Sequence, residues 1–104
     1  MNNYVVKLTK QAKNDLKVIN NYLVYNFQSK ENALNIIKRL KLKIESLSDF
    51  PERFSLVNDY YLSKHKLRKC IMNHYIIFYL VRKNEKKVHI VRIVYDKSDW
   101  MKEI

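Results

Sequence analysis

Tyr75-Ile76-Ile77-Phe78-Tyr79-Leu80-Val81 runs for seven residues without a charge, and both of its alternating faces are apolar. A stretch this short, rich in β-branched and aromatic side chains and closed by Arg82, predicts a strand over residues 75–82 that is covered on both sides and therefore central in a sheet. Its neighbours in sequence have the same character. Residues 65–72 and 88–95 read as two further strands, and in the first of them Leu67, Lys69 and Ile71 alternate with Lys66, Arg68 and Cys70, as suits a sheet edge. Asn73-His74 makes one tight connection and Asn84-Glu85 sits in the other, with asparagine taking the left-handed positions that glycine usually fills, since the chain contains no glycine. Together the three segments predict an antiparallel meander.

Upstream, Tyr4-Val5-Val6-Lys7-Leu8 is another short strand-like run, and Thr9 offers an N-cap hydroxyl to the segment after it. Ala12, Leu16, Ile19 and Leu23 recur at spacings of 4, 3 and 4, which predicts an amphipathic helix over residues 10–26. After Ser29, the residues Ala33, Ile36, Ile37, Leu40, Ile44 and Leu47 repeat that period until Phe50-Pro51, predicting a second helix over residues 30–48 that proline stops. A short loop joins the two helices into a hairpin with one shared apolar face, and the sheet is what that face needs to cover. Residues 96–104, with Ser98 and Trp100, read as a short helix or turn folding back. The expected class is α+β: an N-terminal strand, an αα-hairpin, then a three-stranded antiparallel meander packed against the helices, all in one domain spanning residues 1–104.

Composition narrows the chemistry. Without glycine, phosphate-cradling loops of the nucleotide-cofactor enzymes are poor candidates, so neither a cofactor nor a small-molecule substrate is expected. Cys70 is the sole cysteine and His65, His74 and His89 lie far apart, which leaves no metal-ligand spacing. The longest unbroken apolar run is far below the roughly 20 residues that span a bilayer, and no leader-like segment opens the chain, so no membrane association and a cytoplasmic location are expected.

The formal net charge is +11, with +7 carried by residues 60–104 and +4 by residues 1–59, so a polyanion or an acidic protein is the expected partner. The basic residues of the second helix, Lys38, Arg39, Lys41 and Lys43, read as an ordinary solvated face. Those of the strand half are the candidate target-binding set: Arg68, Lys69, Arg82, Arg92 and Lys97, which an antiparallel sheet can bring side by side into one patch. Arg92 stands out, because a guanidinium amid Val88-His89-Ile90-Val91-Arg92-Ile93-Val94 must leave the core, face a ligand groove or pair with a carboxylate, for which Asp96 and Asp99 are nearest in sequence. His74, Tyr95 and Lys97 are the candidates for proton transfer and phosphate contact if the chain is a nuclease. Cys70 reads as a small core residue. Leu34 and Leu42 fall off the second helix's stripe, Phe54, Leu56 and Val57 lie in a connection, and Tyr60-Tyr61 precede the meander; these seven are the candidate protein-docking residues.

The order of elements, together with Tyr4-Val5-Val6-Lys7-Leu8-Thr9 followed by Ala12 and Asp15-Leu16, the Leu47-Ser48-Asp49-Phe50-Pro51-Glu52-Arg53 junction, Leu67-Arg68-Lys69, Asn73-His74-Tyr75-Ile76-Ile77-Phe78-Tyr79 and Ile90-Val91-Arg92-Ile93-Val94-Tyr95, resembles the RelE/ParE superfamily of bacterial type II toxin-antitoxin systems across nearly the whole chain. The resemblance implies a small growth-inhibiting toxin neutralised by a cognate antitoxin. RelE-like members are metal-independent, ribosome-dependent endoribonucleases that cut mRNA, and commonly keep an arginine where this chain has Ile76; their basic residue after the last strand is matched by Lys97. ParE-like members poison DNA gyrase and share the style of Phe50-Pro51-Glu52-Arg53 and Tyr75-Ile76-Ile77-Phe78-Tyr79. This chain leans toward ParE, although Tyr95-Asp96-Lys97-Ser98-Asp99 replaces the usual ParE ending of His-Gly-Arg-Arg-Asp. The partners so implied are an antitoxin and either gyrase or the ribosome with its mRNA.

Overall fold

The computed structural model describes residues 3–26, 30–57 and 65–96. Strand β1 (Val5–Leu8) leads into helix α1 (Lys10–Asn26), then helix α2 (Lys30–Ser46), a 3-10 turn at Pro51–Arg53, and strands β2 (Arg68–Met72), β3 (Tyr75–Arg82) and β4 (Lys87–Tyr95). The four strands form one sheet in the order β1-β4-β3-β2, with β1 parallel to β4 and the meander antiparallel. The parallel pairing of β1 is a feature that local sequence does not announce. The α+β class and the strand, hairpin, meander order are as expected; the second helix ends at Ser46, two residues early, and the first meander strand starts at Arg68 rather than residue 65.

Alternation in β3 sorts the core into two layers. Tyr75, Ile77 and Tyr79 join Ala12, Ile19, Leu40 and Leu47 beneath the helices, while Ile76 and Phe78 pack on the opposite face with Val57, Leu67 and Val94. The strand is therefore covered on both sides, the arrangement its sequence demands. On β4 the register shifts between Phe78 and Tyr79, so that Tyr79 opposes Ile90 and Phe78 opposes Arg92. Val91 is the extra residue of this bulge. Three-residue spacing would put Ile90 and Ile93 on opposite faces of a regular strand; the bulge lets both join the core under the helices.

Arg92, just past the bulge, stands opposite Phe78 and meets α1 at the edge of β4. Beyond Ile90, β4 has no β1 partner, and the start of α1 serves that edge instead. Thr9 donates its backbone N–H to Ile90 O at 3.0 Å and its hydroxyl to Val91 O at 2.9 Å, while the hydroxyl oxygen accepts the Ala12 N–H at 3.1 Å as the helix N-cap. One turn further on, Asp15 accepts from Arg92 Nε at 2.8 Å, Arg92 Nη2 at 3.0 Å and the Ile93 N–H at 2.9 Å. The partner of Arg92 is thus Asp15, 77 residues away, and not the neighbouring Asp96 or Asp99; Asp99 lies outside the described residues.

The far side of the helical layer is fixed by the segment after α2. Arg53 donates to Ser46 O at 3.1 Å, to Ser46 Oγ at 2.9 Å and to Asp49 O, satisfying carbonyls that the end of a helix leaves unpaired. Tyr79, fully buried, donates its hydroxyl to Pro51 O at 2.6 Å, which ties the middle of β3 to this turn. The chain reaches the turn through Phe50 at φ 44°, and Lys66, Asn73 and Lys86 also take positive φ. Asn73 fills the left-handed place expected of it in the first meander turn; in the second, Lys86 rather than Asn84 does so, at the cost a side chain brings to that region.

Two stability predictions rest on these ties. Asp15→Asn should lower the unfolding free energy by about 2 kcal/mol, read from urea denaturation, because it leaves a half-buried guanidinium without its charge partner; a fully buried pair would lose about 3–5 kcal/mol. Burial pushes the Tyr79 phenol from its ordinary 10.0 up to about 12, with Cys70 adding to the rise and Arg68 and Arg53 offsetting part of it. The folded state holds this proton more tightly than the unfolded chain, so the associated stability is intact below pH 10 and is lost as pH climbs toward 12, by up to about 1.4 kcal/mol per pH unit. Tyr79→Phe should flatten that alkaline loss while costing about 1 kcal/mol at neutral pH, where Pro51 O loses its donor.

Candidate functional site

The four strands contain no acidic residue, yet they carry Lys7, Arg68, Lys69, Arg82, Lys87 and Arg92. Their counter-charges must come from elsewhere in the chain, and among the described residues only Arg92 and Arg68 receive one. Arg92 has Asp15 of α1. Arg68, across the sheet on β2, donates to Phe54 O at 2.7 Å and Glu52 O at 3.2 Å and pairs with the Glu52 carboxylate at 3.5 Å, which Lys83 also meets at 3.2 Å. Lys7, Lys69, Arg82 and Lys87 make no ion pair among the described residues.

The single patch expected of Arg68, Arg92 and Lys97 is therefore not what the geometry delivers. Arg68 and Arg92 lie on strands separated by β3, and each is turned to its own carboxylate, one under the Pro51 turn and one against α1. Lys97 lies outside the described residues. Lys69 opposes Phe78 and Arg82 opposes Lys87, on the sheet face away from the helices.

At the other end of the sheet, an aromatic group gathers. The His74 and Tyr95 rings are 6.3 Å apart, and Tyr75 meets Tyr95 edge-on at 5.8 Å. With Val18, Ile19 and Tyr22 of α1, Tyr75 and Tyr95 border a groove of about 480 Å³, whose floor includes Arg92 and Ile93. Burial raises the Tyr75 phenol, and the neighbouring Tyr22 and Tyr95 add to it. Tyr22 and Tyr25 are both exposed, and with Val18 they follow the i, i+4, i+7 spacing of one helix stripe. That signal is present in the sequence and is masked there by the stronger core stripe beside it.

Among the expected docking residues, Leu34, Leu42 and Leu56 are exposed. Val57, at 2 % exposure, belongs instead to the core layer over β3, because its N–H donates to Leu67 O and draws it against the outer edge of β2. Phe54 is also partly withdrawn, with Arg53 and Lys43 stacked on its ring at 4.6 and 5.5 Å. Tyr60 and Tyr61 lie outside the described residues. Cys70 is buried, and desolvation raises its thiol despite the pull of Lys43 and Arg53, the opposite of what a reactive thiolate needs. Among the described residues no cluster of His, Cys, Asp and Glu gathers to hold a metal, and no helix is long and apolar enough to cross a membrane.

This architecture has known counterparts. No curated protein matches the chain by sequence. Among solved structures, one described as the chromosomal ParDE TA system from P. aeruginosa is similar, with a TM-score of 0.70 and 19% identity, covering 91% of this chain and 98% of that one. At that identity the likeness is one of fold. The family model described as the ParE toxin of the type II toxin-antitoxin system, parDE, matches residues 6–100. All but the first residue of β1, the helical hairpin and the cation-bearing meander thus fall within one match, and the chain belongs to the ParE toxin family of type II toxin-antitoxin systems.

Proposed function

We propose that this type II toxin arrests growth by binding DNA gyrase and that a cognate antitoxin holds it inactive. The observation that carries a binding rather than a cutting mode is the fate of the two strand arginines, Arg68 and Arg92, on which nuclease chemistry would draw. Cleavage of a phosphodiester needs cations free to meet the developing charge. Here Arg68 and Arg92 are committed to Glu52 and Asp15, and Ile76, at the position where RNA-cutting relatives commonly keep arginine, is buried against Val57 and Leu67.

For the antitoxin we assign the exposed apolar side chains of the helical layer: Val18, Tyr22 and Tyr25 on α1 with the groove they border, and Leu34 and Leu42 on α2. Leu56 adds to them from the connection. Aromatic anchors beside a groove are what a partner helix or extended segment fills.

A second mode, ribosome-dependent mRNA cleavage, is favoured by one observation, the juxtaposition of His74 and Tyr95 at the sheet end. The two modes separate cleanly. Under tight control, expression should arrest growth, and co-expression of the adjacent gene's product should relieve the arrest. The purified protein should then inhibit gyrase supercoiling and leave toeprints on translating ribosomes unchanged, and His74→Ala with Tyr95→Phe should keep full toxicity. New ribosomal cleavage products that vanish in that double variant would decide for the nuclease. Tyr22→Ala should weaken antitoxin affinity by roughly tenfold or more in titration calorimetry without reducing toxicity.

A further inference from the structure

We infer that the sheet face turned away from the helices is a binding strip for the phosphodiester backbone of a nucleic acid, built from Lys7, Arg82 and Lys87 with Lys69 further along. The inference stands apart from the gyrase assignment and draws on the distribution of charge partners within the sheet. Val6, Leu8, Val81 and Val88 pack toward the helices, so their neighbours Lys7, Arg82 and Lys87 take the other face. Arg82 and Lys87 are direct cross-strand partners, and in the next row His89 stands opposite both Leu80 and Lys7. Like charges placed directly opposite one another destabilise a sheet. Arg82 and Lys87 carry that repulsion; Arg68 and Arg92 stand opposite Tyr79 and Phe78 and are paired with Glu52 and Asp15, whereas Lys7, Lys69, Arg82 and Lys87 meet no carboxylate among the described residues. Lys83 and Lys86 of the adjoining turn add to the same field, although Lys83 shares Glu52 and Lys86 lies over the Tyr4 ring at 5.1 Å.

An array of cations that no described carboxylate meets suits an anion from outside the chain, and the composition of the face says which class. Ile76, Phe78 and Val94, the large apolar side chains of this face, are buried. Of the exposed apolar strand residues on this face, Val5 stands opposite Lys87 on β1 and Ile71 two residues from Lys69 on β2, each alone and neither aromatic. A protein partner is anchored by apolar and aromatic side chains in pockets, whereas phosphates are met by point charges held in register without reading base sequence. Arg82 and Lys87, directly opposite on neighbouring strands, are about 5 Å apart at the backbone, and Lys7, one strand over and two residues along from the partner of Lys87, is about 8 Å from Lys87, so a single backbone can meet all three.

The test measures fluorescence anisotropy of a labelled random-sequence DNA duplex and a labelled single-stranded RNA against the full chain over a range of salt. The wild type should bind without sequence preference, and the source of the phosphates is read from which of the two binds more tightly at equal length. Lys7→Gln/Arg82→Gln/Lys87→Gln should lower the slope of log affinity against log salt by about 2.7 on duplex or about 2.1 on single strands, equivalent on duplex to a fall between about 50 and 200 mM salt some fortyfold smaller than that of the wild type. Lys38→Gln/Arg39→Gln/Lys41→Gln removes the same charge from exposed positions of α2 and should change the slope by less than about 0.5. Circular dichroism checks both folds; should the sheet variant unfold, the single changes Lys7→Gln and Arg82→Gln each serve, at about one third of the effect. Equal losses from the two triple variants, or tighter binding to polyglutamate than to either nucleic acid at matched charge, would overturn the inference.

Discussion

The Asp15 carboxylate is the contact on which the rest of the molecule is arranged. β1 accompanies β4 only from Lys87 to Ile90, and past that point the edge of β4 would face solvent with an unpaired N–H and an arginine in its midst. Asp15 answers both, taking the Ile93 N–H and two guanidinium hydrogen bonds with the two oxygens of one side chain. Charge-assisted, two-pronged pairing of this kind fixes orientation as well as adding energy. It sets α1 across the strand end, and the apolar groove bordered by Val18, Tyr22 and Tyr95 exists because α1 sits there.

Pairing at one edge has a consequence for the sheet as a whole. With no acid in the described strands, two carboxylates act where backbone geometry also needs them: Asp15 just past the bulge, Glu52 beside the turn that receives the Tyr79 hydroxyl. The arginines they hold are structural. What remains on the face away from the helices is charge that no described carboxylate meets, and so the cations most prominent by sequence context, Arg68 and Arg92, differ from those without an ion pair among the described residues.

Helix periodicity and the double apolar alternation of β3 make the architecture legible, since each is a local pattern enforced by burial. The hidden features all depend on residues distant in sequence. β1 pairs parallel to a strand some 80 positions later, and four residues of valine, lysine and leucine carry no mark of which edge they will join. Local reach is all that one strand reveals, which points Arg92 to Asp96 or Asp99, whereas its partner lies on α1, 77 residues away in sequence. Val57 reads as loop surface, and a hydrogen bond to Leu67 makes it core. The convergent patch fails for the same reason: shared membership in a sheet says nothing about facing or counter-ions until the register is known.

Register also separates the two kinds of exposed surface. Apolar side chains reach solvent chiefly on the helical layer, at Val18, Tyr22, Tyr25, Leu34 and Leu42, while charge without an ion pair among the described residues gathers on the opposite side of the sheet at Lys7, Lys69, Arg82 and Lys87. An antitoxin seated on the helices by apolar anchors and a polyanion seated on the strands by charge would then use different physics on different faces. Salt weakens the second contact steeply and the first very little. Neutralisation through the helical layer would therefore not require the cationic face to be covered, and the Asp15–Arg92 pair, which joins α1 to β4, holds the two layers together.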